Sequence, residues 1–220
     1  LARISYEHVF GMAPPPYVEL HAHSAFSFLD GASAPEEMAE AAARLGHSAL
    51  ALTDHDGLCG SLAFAHAARA AGVRPITGAE VTLDDGSHLT LLAATAAGYA
   101  NLCRLITIAH ADTRPPPDRR PVPPRLPLPR LAAHAEGLVC LTGCARHGLV
   151  PRLVAAGARQ EALAAVRGLV RDLGRENVLV EIQLSRSRGD RRLARALSDL
   201  AEAAGVACVA TGDPHSHSPE

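Results

Sequence analysis

The sequence predicts an α/β fold, a closed barrel of about seven mainly parallel strands with helices outside. Three observations carry this. Short apolar runs alternate with longer helical patterns from residue 17 onward. The run at 48–53 is continuously apolar, as expected of a strand covered on both faces. Metal-capable side chains collect at the ends of the predicted strands, where barrels of this kind build their sites.

Taken in order, residues 1–16 lack a periodic pattern, end in Pro14-Pro15-Pro16 and read as a leader. A strand is predicted at 17–21. Ser33 is the expected cap of a helix with Pro35 at an early position and acids in its first turn; it runs to about Leu45 and stops at Gly46. The strand at 48–53 precedes a helix at 61–71, stopped by Gly72. Strands at 74–83 and 88–93 flank Asp84-Asp85-Gly86 and read as a hairpin. A helix follows at 97–111. Residues 114–130 hold eight prolines and five arginines, which excludes a helix or an inner strand and leaves a solvated surface loop. Then come a strand at 137–142, helices at 149–154 and 159–173, a strand at 177–184, a helix at 190–204 and a strand at 206–211. Residues 17–217 thus form one domain, and 218–220 read as the start of a truncated linker.

Composition narrows the function classes. A net charge of −2 argues against a domain that grips nucleic acid by bulk charge, but leaves room for a nucleic-acid substrate delivered by a neighbouring domain. Twelve histidines are many for 220 residues and favour metal chemistry. The five cysteines are widely spaced with no CxxC, which fits a reducing compartment. Cys103, Cys140 and Cys208 lie in apolar runs and read as buried thiols. There is no secretory signal and no apolar run long enough to cross a bilayer, so the cytoplasm is expected.

His21-Ala22-His23 is the strongest single feature. Residues i and i+2 on a strand share a face, so two imidazoles aim at one point and suit a metal ion. Asp30, Thr53-Asp54-His55-Asp56, Glu80, His88, Cys144 and Asp213-Pro214-His215 follow. His88 opens its strand, and the hairpin from Glu80 would return it to the same rim. Such a site is that of a metal-dependent hydrolase holding several ions of Zn, Mn or Fe. Asp30 and Glu80 can bridge two cations, and a Cys144 thiolate favours a softer ion such as Zn. Metals lower the pKa of bound water from about 15.7 to about 7, and paired ions about 3.5–4 Å apart stabilise phosphoryl transfer. Asp54 and Asp56 are expected to orient imidazoles. His8, His47, His66, His110, His134 and His147 read as ordinary, and His217 as either ligand or tail. No dinucleotide, phosphate-loop or GxSxG signature occurs, and a nucleophilic Cys144 would leave the carboxylates without a role.

Glu19-Leu20-His21-Ala22-His23-Ser24, Phe28-Leu29-Asp30-Gly31-Ala32, Leu52-Thr53-Asp54-His55 and Gly78-Ala79-Glu80 resemble the polymerase and histidinol phosphatase (PHP) family. The closer likeness is to the PHP domain that opens the bacterial DNA polymerase III alpha subunit. It is carried by His88-Leu89-Thr90-Leu91-Leu92-Ala93 with Gly98-Tyr99-Ala100-Asn101-Leu102, by Leu141-Thr142-Gly143-Cys144, and by Thr211-Gly212-Asp213-Pro214-His215. Arg188-Gly189-Asp190-Arg191-Arg192 and Leu200-Ala201-Glu202-Ala203 resemble the error-prone second-copy subunits. The resemblance implies a distorted (βα)7 barrel with a cluster of three divalent ions. Its ligand and catalytic positions fall on His21, His23, Asp30, His55, Glu80, His88, Cys144, Asp213 and His215. The error-prone branch often carries Arg or another non-ligand at the Asp30 and His55 positions; this chain keeps both, while Pro214 and His217 differ from the usual tail of the last motif. In alpha subunits with an intact site the implied activity is a metal-dependent 3′→5′ exonuclease. The implied partners are a DNA primer 3′ end, the remaining polymerase domains and replisome subunits, and no membrane. The chain is then an excised amino-terminal domain. The alternatives are a free-standing histidinol-phosphate-type phosphatase on small monoesters, or a non-catalytic, metal-stabilised docking domain of the polymerase.

Overall fold

The computed structural model describes residues 17–111, 113 and 122–218, so the leader at 1–16, residues 114–121 of the Pro/Arg-rich stretch and residues 219–220 lie outside the described residues. Six strands form one curled sheet in sequential order: β1 (Ala49–Leu52), β2 (Arg74–Thr82), β3 (His88–Ala93), β4 (Leu138–Leu141), β5 (Val178–Gln183) and β6 (Ala207–Thr211). β1–β2, β4–β5 and β5–β6 pair in parallel, and β3 runs antiparallel to both neighbours. The expected hairpin is present, with Glu80 opposite Thr90 and Thr82 opposite His88. It carries His88 back to the rim where β1 and β2 end.

The strand expected at 17–21 is corrected. The segment makes one parallel bridge, Glu19 to Leu50, and no regular ladder. The physical reason is local: the buried Glu19 carboxylate accepts from the backbone N–H of His21, two residues on, and from Gly212 N–H beyond β6. The segment still fills the place of a seventh strand. Ala51 N–H and Thr53 N–H donate to it from the β1 side, and His23 N–H donates to Pro214 on the other.

Seven helices are described: α1 (Pro35–Arg44), α2 (Ser61–Ala70), α3 (Ala96–Ala109), α4 (Pro129–Ala132), α5 (Leu149–Ala155), α6 (Arg159–Leu173) and α7 (Asp190–Ala204). Gly46 ends α1 at φ +78°, where His47 N–H reaches back to Ala42 and closes a glycine cap. The cap at the other end differs from expectation. Ala34 is the N-cap, Glu37 reaches back to its N–H at 2.7 Å, and Ser33 Oγ is engaged by His217 instead. The tail of the Pro/Arg-rich stretch is anchored rather than solvated, with Leu126 fully buried and bridged to Leu83 and Pro129 starting α4.

The large core lies between β3–β5 and helices α3, α6 and α7, with Leu89, Leu91, Leu102, Leu105, Leu169 and Leu200 among its buried members. A second cluster seats α1 and α2 on β1. Cys140 is buried as expected, but Cys103 is only half-buried and Cys208 is exposed, because most of β6 is left without cover.

Inside the barrel the side chains change character along each strand. Alternate residues face inward. Ala51, Leu92 and Leu141 fill the floor with Leu20, Ile76, Val139, Leu179 and Val209. Following the same faces upward reaches Thr53, Glu80, Thr90, Glu181 and Thr211, all buried and polar. The apolar floor seals one end and leaves the other lined with hydrogen-bonding groups.

Candidate metal centre

All nine candidate ligands named from the sequence converge at this polar end. His21 is buried deepest. Its Nε2 lies 3.1 Å from His23 Nε2 and 3.6 Å from Asp213 Oδ1. Glu80 sits at the centre with its oxygens directed two ways: Oε2 is 3.0 Å from His55 Nδ1, and Oε1 is 3.1 Å from His88 Nδ1. Asp30 Oδ2 is 3.0 Å from His55 Nε2 and 3.1 Å from His215 Nδ1, and Asp213 Oδ1 is 3.3 Å from His215 Nε2. Above His21 the other eight line a cavity of about 430 Å³, together with Arg146, His147 and Gln183.

Three groups of ligand atoms lie within 4.8 Å of one another: His21–His23–Asp213, His23–His55–Glu80 and Glu80–His88–Cys144. His23 and Glu80 each belong to two groups. Asp30 and His215 are in none of the three, and join the cluster through His55 and Asp213.

The orientation of the deepest imidazoles follows from proton accounting. An ionised carboxylate only accepts. Glu181 Oε1 lies 2.7 Å from His21 Nδ1, so that nitrogen carries a proton and Nε2, which faces the cluster, is the atom left for a metal to take. Ser27 Oγ donates its one proton to Asp54, so it accepts from His23 Nδ1 at 2.9 Å and from His55 N–H. His23 therefore also presents a free Nε2. Histidines that bind metals are held this way. The expectation for Asp54 is met at one remove, through Ser27. Asp56 is corrected: its carboxylate accepts from Thr82 N–H and Oγ1 and orients no imidazole.

Glu181, Ser27 and Glu19 escaped sequence reasoning. Glu181 and Glu19 stand among apolar neighbours, and a single inward-facing position gives no local signal. His217 is held by Ser33, with Nδ1 2.7 Å from Oγ, outside the cavity. His47 and His110 bond backbone carbonyls elsewhere, as expected of ordinary histidines.

Electrostatics fit a cation site. Burial pushes Glu80 upward, but the neighbouring imidazoles of His21, His55 and His88 outweigh it and hold the carboxyl well below its usual range. Burial opposes protonation of His21, yet Glu181 and Glu80 raise it well above an ordinary histidine. Against the same burial, Glu80 and Asp30 raise His55 to about 9. Burial lowers His23. Burial and Glu80 push the Cys144 thiol up to about 12, which disfavours a free thiolate nucleophile. A coordinated thiol would instead be deprotonated by its metal.

The donor set accommodates divalent cations. Among the described residues, five buried side-chain atoms lack a hydrogen-bond partner: Glu80 Oε1, His88 Nδ1, Asp213 Oδ1 and His215 Nδ1, and Glu181 Oε2 beneath them. Buried polar atoms are ordinarily satisfied. Four of the five belong to candidate ligands that line one cavity, and they match atoms that coordinate ions.

Residues 19–185 match the PHP domain family. Similar proteins include an error-prone DNA polymerase of Symbiobacterium thermophilum, 43% identical over 90% of this chain and 19% of its own length. An error-prone DNA polymerase of Mycobacterium tuberculosis strain H37Rv is 41% identical over 90% of this chain and 19% of its own, and the DNA polymerase III subunit alpha of Treponema pallidum is 34% identical over 93% and 18%. The chain spans about a fifth of the length of these curated relatives. Among solved structures, an amidohydrolase from Chromobacterium violaceum with bound sulfate and no metal aligns at a TM-score of 0.58 and 19% identity, covering 90% of this chain and 87% of that one. A Bifidobacterium adolescentis protein named as a metal-dependent phosphoesterase aligns at 0.59 and 15%, covering 94% and 91%. These likenesses show the fold. With the family match extending over most of its length, the chain belongs to the PHP family.

Proposed function

We propose that this chain is the PHP phosphoesterase domain of a polymerase of the error-prone alpha-subunit kind, and that it hydrolyses the phosphodiester at the 3′ end of a DNA primer. His21, His23, Asp30, His55, Glu80, His88, Cys144, Asp213 and His215 would hold three divalent ions of Zn, Mn or Fe. The observation that carries the reading is the set of unsatisfied buried ligand atoms around one cavity, with no position of the family pattern lost. The polymerase context is supported by the relatives.

When bound, divalent ions supply Lewis-acid activation of water and of phosphoryl oxygens at neutral pH. The protein's part is orientation. Glu181 and Ser27 keep the protons of His21 and His23 on Nδ1, away from the reacting side. Asp30 closes the cluster on its exposed side between His55 and His215. Arg146 stands exposed at the cavity wall, where a guanidinium can pair with phosphate oxygens.

The test is metal analysis with a labelled primer assay on the wild type and on Asp30→Ala. Even an outer-sphere partner is worth about 10–100-fold in such sites, so Asp30→Ala should lose at least that much activity. A variant that digests primers as fast as wild type refutes the exonuclease assignment. Release of phosphate from small monoesters with primer ends intact would establish the histidinol-phosphate-type alternative.

A further inference from the structure

A second groove, of about 530 Å³, opens directly from the metal cavity; the two share Ala145, Arg146 and Ser185. One wall is the loop after β4 that carries Arg146. The other is residues 185–192, between β5 and α7, which read Ser-Arg-Ser-Arg-Gly-Asp-Arg-Arg. Arg146, Arg188 and Arg192 line the groove with Ser185 and Ser187, and Asp190 is its one acid.

Arg146 and residues 185–192 together carry +4 in a chain whose net charge is −2. The remainder of the molecule is therefore net acidic, and this concave strip is a local concentration of positive charge, as is the Pro/Arg-rich stretch at 114–130. All three lining arginines are exposed, and among the described residues none makes an ion pair or donates a side-chain hydrogen bond. Elsewhere the chain does satisfy arginines: Arg171 pairs with Asp172, Arg104 with Asn101 and Arg175 with a carbonyl. The loop also holds Arg186 at φ +61° and Gly189 at φ +95°. A left-handed arginine is a local cost that persists where a loop shape is functional.

A small monoester would occupy the metal cavity alone and make no use of this extension. A polynucleotide has phosphates at regular spacing behind the one being cleaved, and guanidiniums recognise each of them. We propose that the single DNA strand behind the reacting 3′ end lies along this groove, with Arg146, Arg188 and Arg192 on successive phosphates. The proposal rests on the phosphodiesterase reading of the metal centre and names the path by which its polymer substrate enters.

The probe is a short 5′-fluorescein single strand with phosphorothioate linkages that resist cleavage, followed by anisotropy across a salt series. Each phosphate contact on a single strand contributes a slope of about −0.7 to the dependence of log affinity on log salt. Arg188→Ala/Arg192→Ala should weaken binding at least about tenfold at low salt and flatten the slope by about 1.4. Arg44→Ala/Arg69→Ala removes the same charge from exposed positions on α1 and α2 outside the groove, and should bind like wild type. If the groove variant binds with wild-type affinity and slope, or the control loses as much, the proposal is overturned. Turnover of bis(p-nitrophenyl) phosphate by the wild type is read separately. Its absence would refute the phosphodiesterase reading, while the anisotropy would still decide the groove.

Discussion

Glu181 governs His21 from beneath the cluster. It accepts from His21 Nδ1 at 2.7 Å, from Thr211 Oγ1 at 2.5 Å and from Gln183 Nε2 at 3.0 Å, all at one oxygen. Glu181→Gln preserves the shape but removes the charge that supports the imidazole. We expect metal affinity to fall about 10–100-fold, measured by competition with a chromogenic chelator, although no ligand has been touched. An unchanged affinity would reduce Glu181 to packing. His55 gives a pH dependence. Its folded pKa of about 9 lies above the ordinary 6.5 because Glu80 and Asp30 outweigh burial. The metal-free ion pair therefore contributes stability fully below pH 6.5 and loses it as pH rises through about 9. A metal must displace that proton, so apparent affinity should climb with pH and level off above about 9. Titrations at several pH values, with proton release recorded, check the sign; affinity that falls over this range contradicts it. The convergence of the nine candidate ligands was legible because their residue types are distinctive and their motifs are contiguous. Glu181 was not, because a lone carboxylate in an apolar strand gains meaning only when pleat and register show that it faces His21.

The hairpin of β2 and β3 is the element that makes the centre possible. It sets Glu80 and His88 on one rim although their strands run in opposite directions. Its turn was readable from Asp84-Asp85-Gly86. The failure of the first strand was not, since a buried side chain that competes with the ladder leaves no trace in hydrophobic pattern. Gly143, between β4 and Cys144, is a tight point of this rim. It has φ +92°, and a Cβ there would lie 2.4 Å from His88 O and 2.6 Å from Gly148 Cα. Gly143→Ala should cost about 1–3 kcal/mol in urea unfolding of the metal-free protein. It should also lower the metal content after dialysis, because relief of the clash moves Cys144 or His88. Full stability together with full metal loading would show that the rim yields more easily than its contacts imply.

At the scale of the whole molecule, the sequence made the alternation of strands and helices readable but not the division of the barrel interior. An apolar floor and a polar rim on the same inward faces emerge only when every strand is placed beside its neighbour. The unsatisfied rim atoms of Glu80, His88, Asp213 and His215 belong to three separate segments, so ions that bind them would hold those segments together. Ligand that binds only the folded state adds about 4 kcal/mol at a thousandfold excess over Kd. Removal of metal with a chelator should therefore lower the midpoint of thermal unfolding by several degrees, and readdition of Mn or Zn should restore it. A midpoint indifferent to both would separate the cluster from the fold. The rim is also stitched across its two ends, with His23 N–H on Pro214 and Ala32 N–H on His215. During synthesis the ribosome releases His21 long before His215. If these residues hold ions as proposed, a full set can be captured only after nearly all of this domain has emerged, and cofactor loading then acts as a checkpoint on completed translation of the domain.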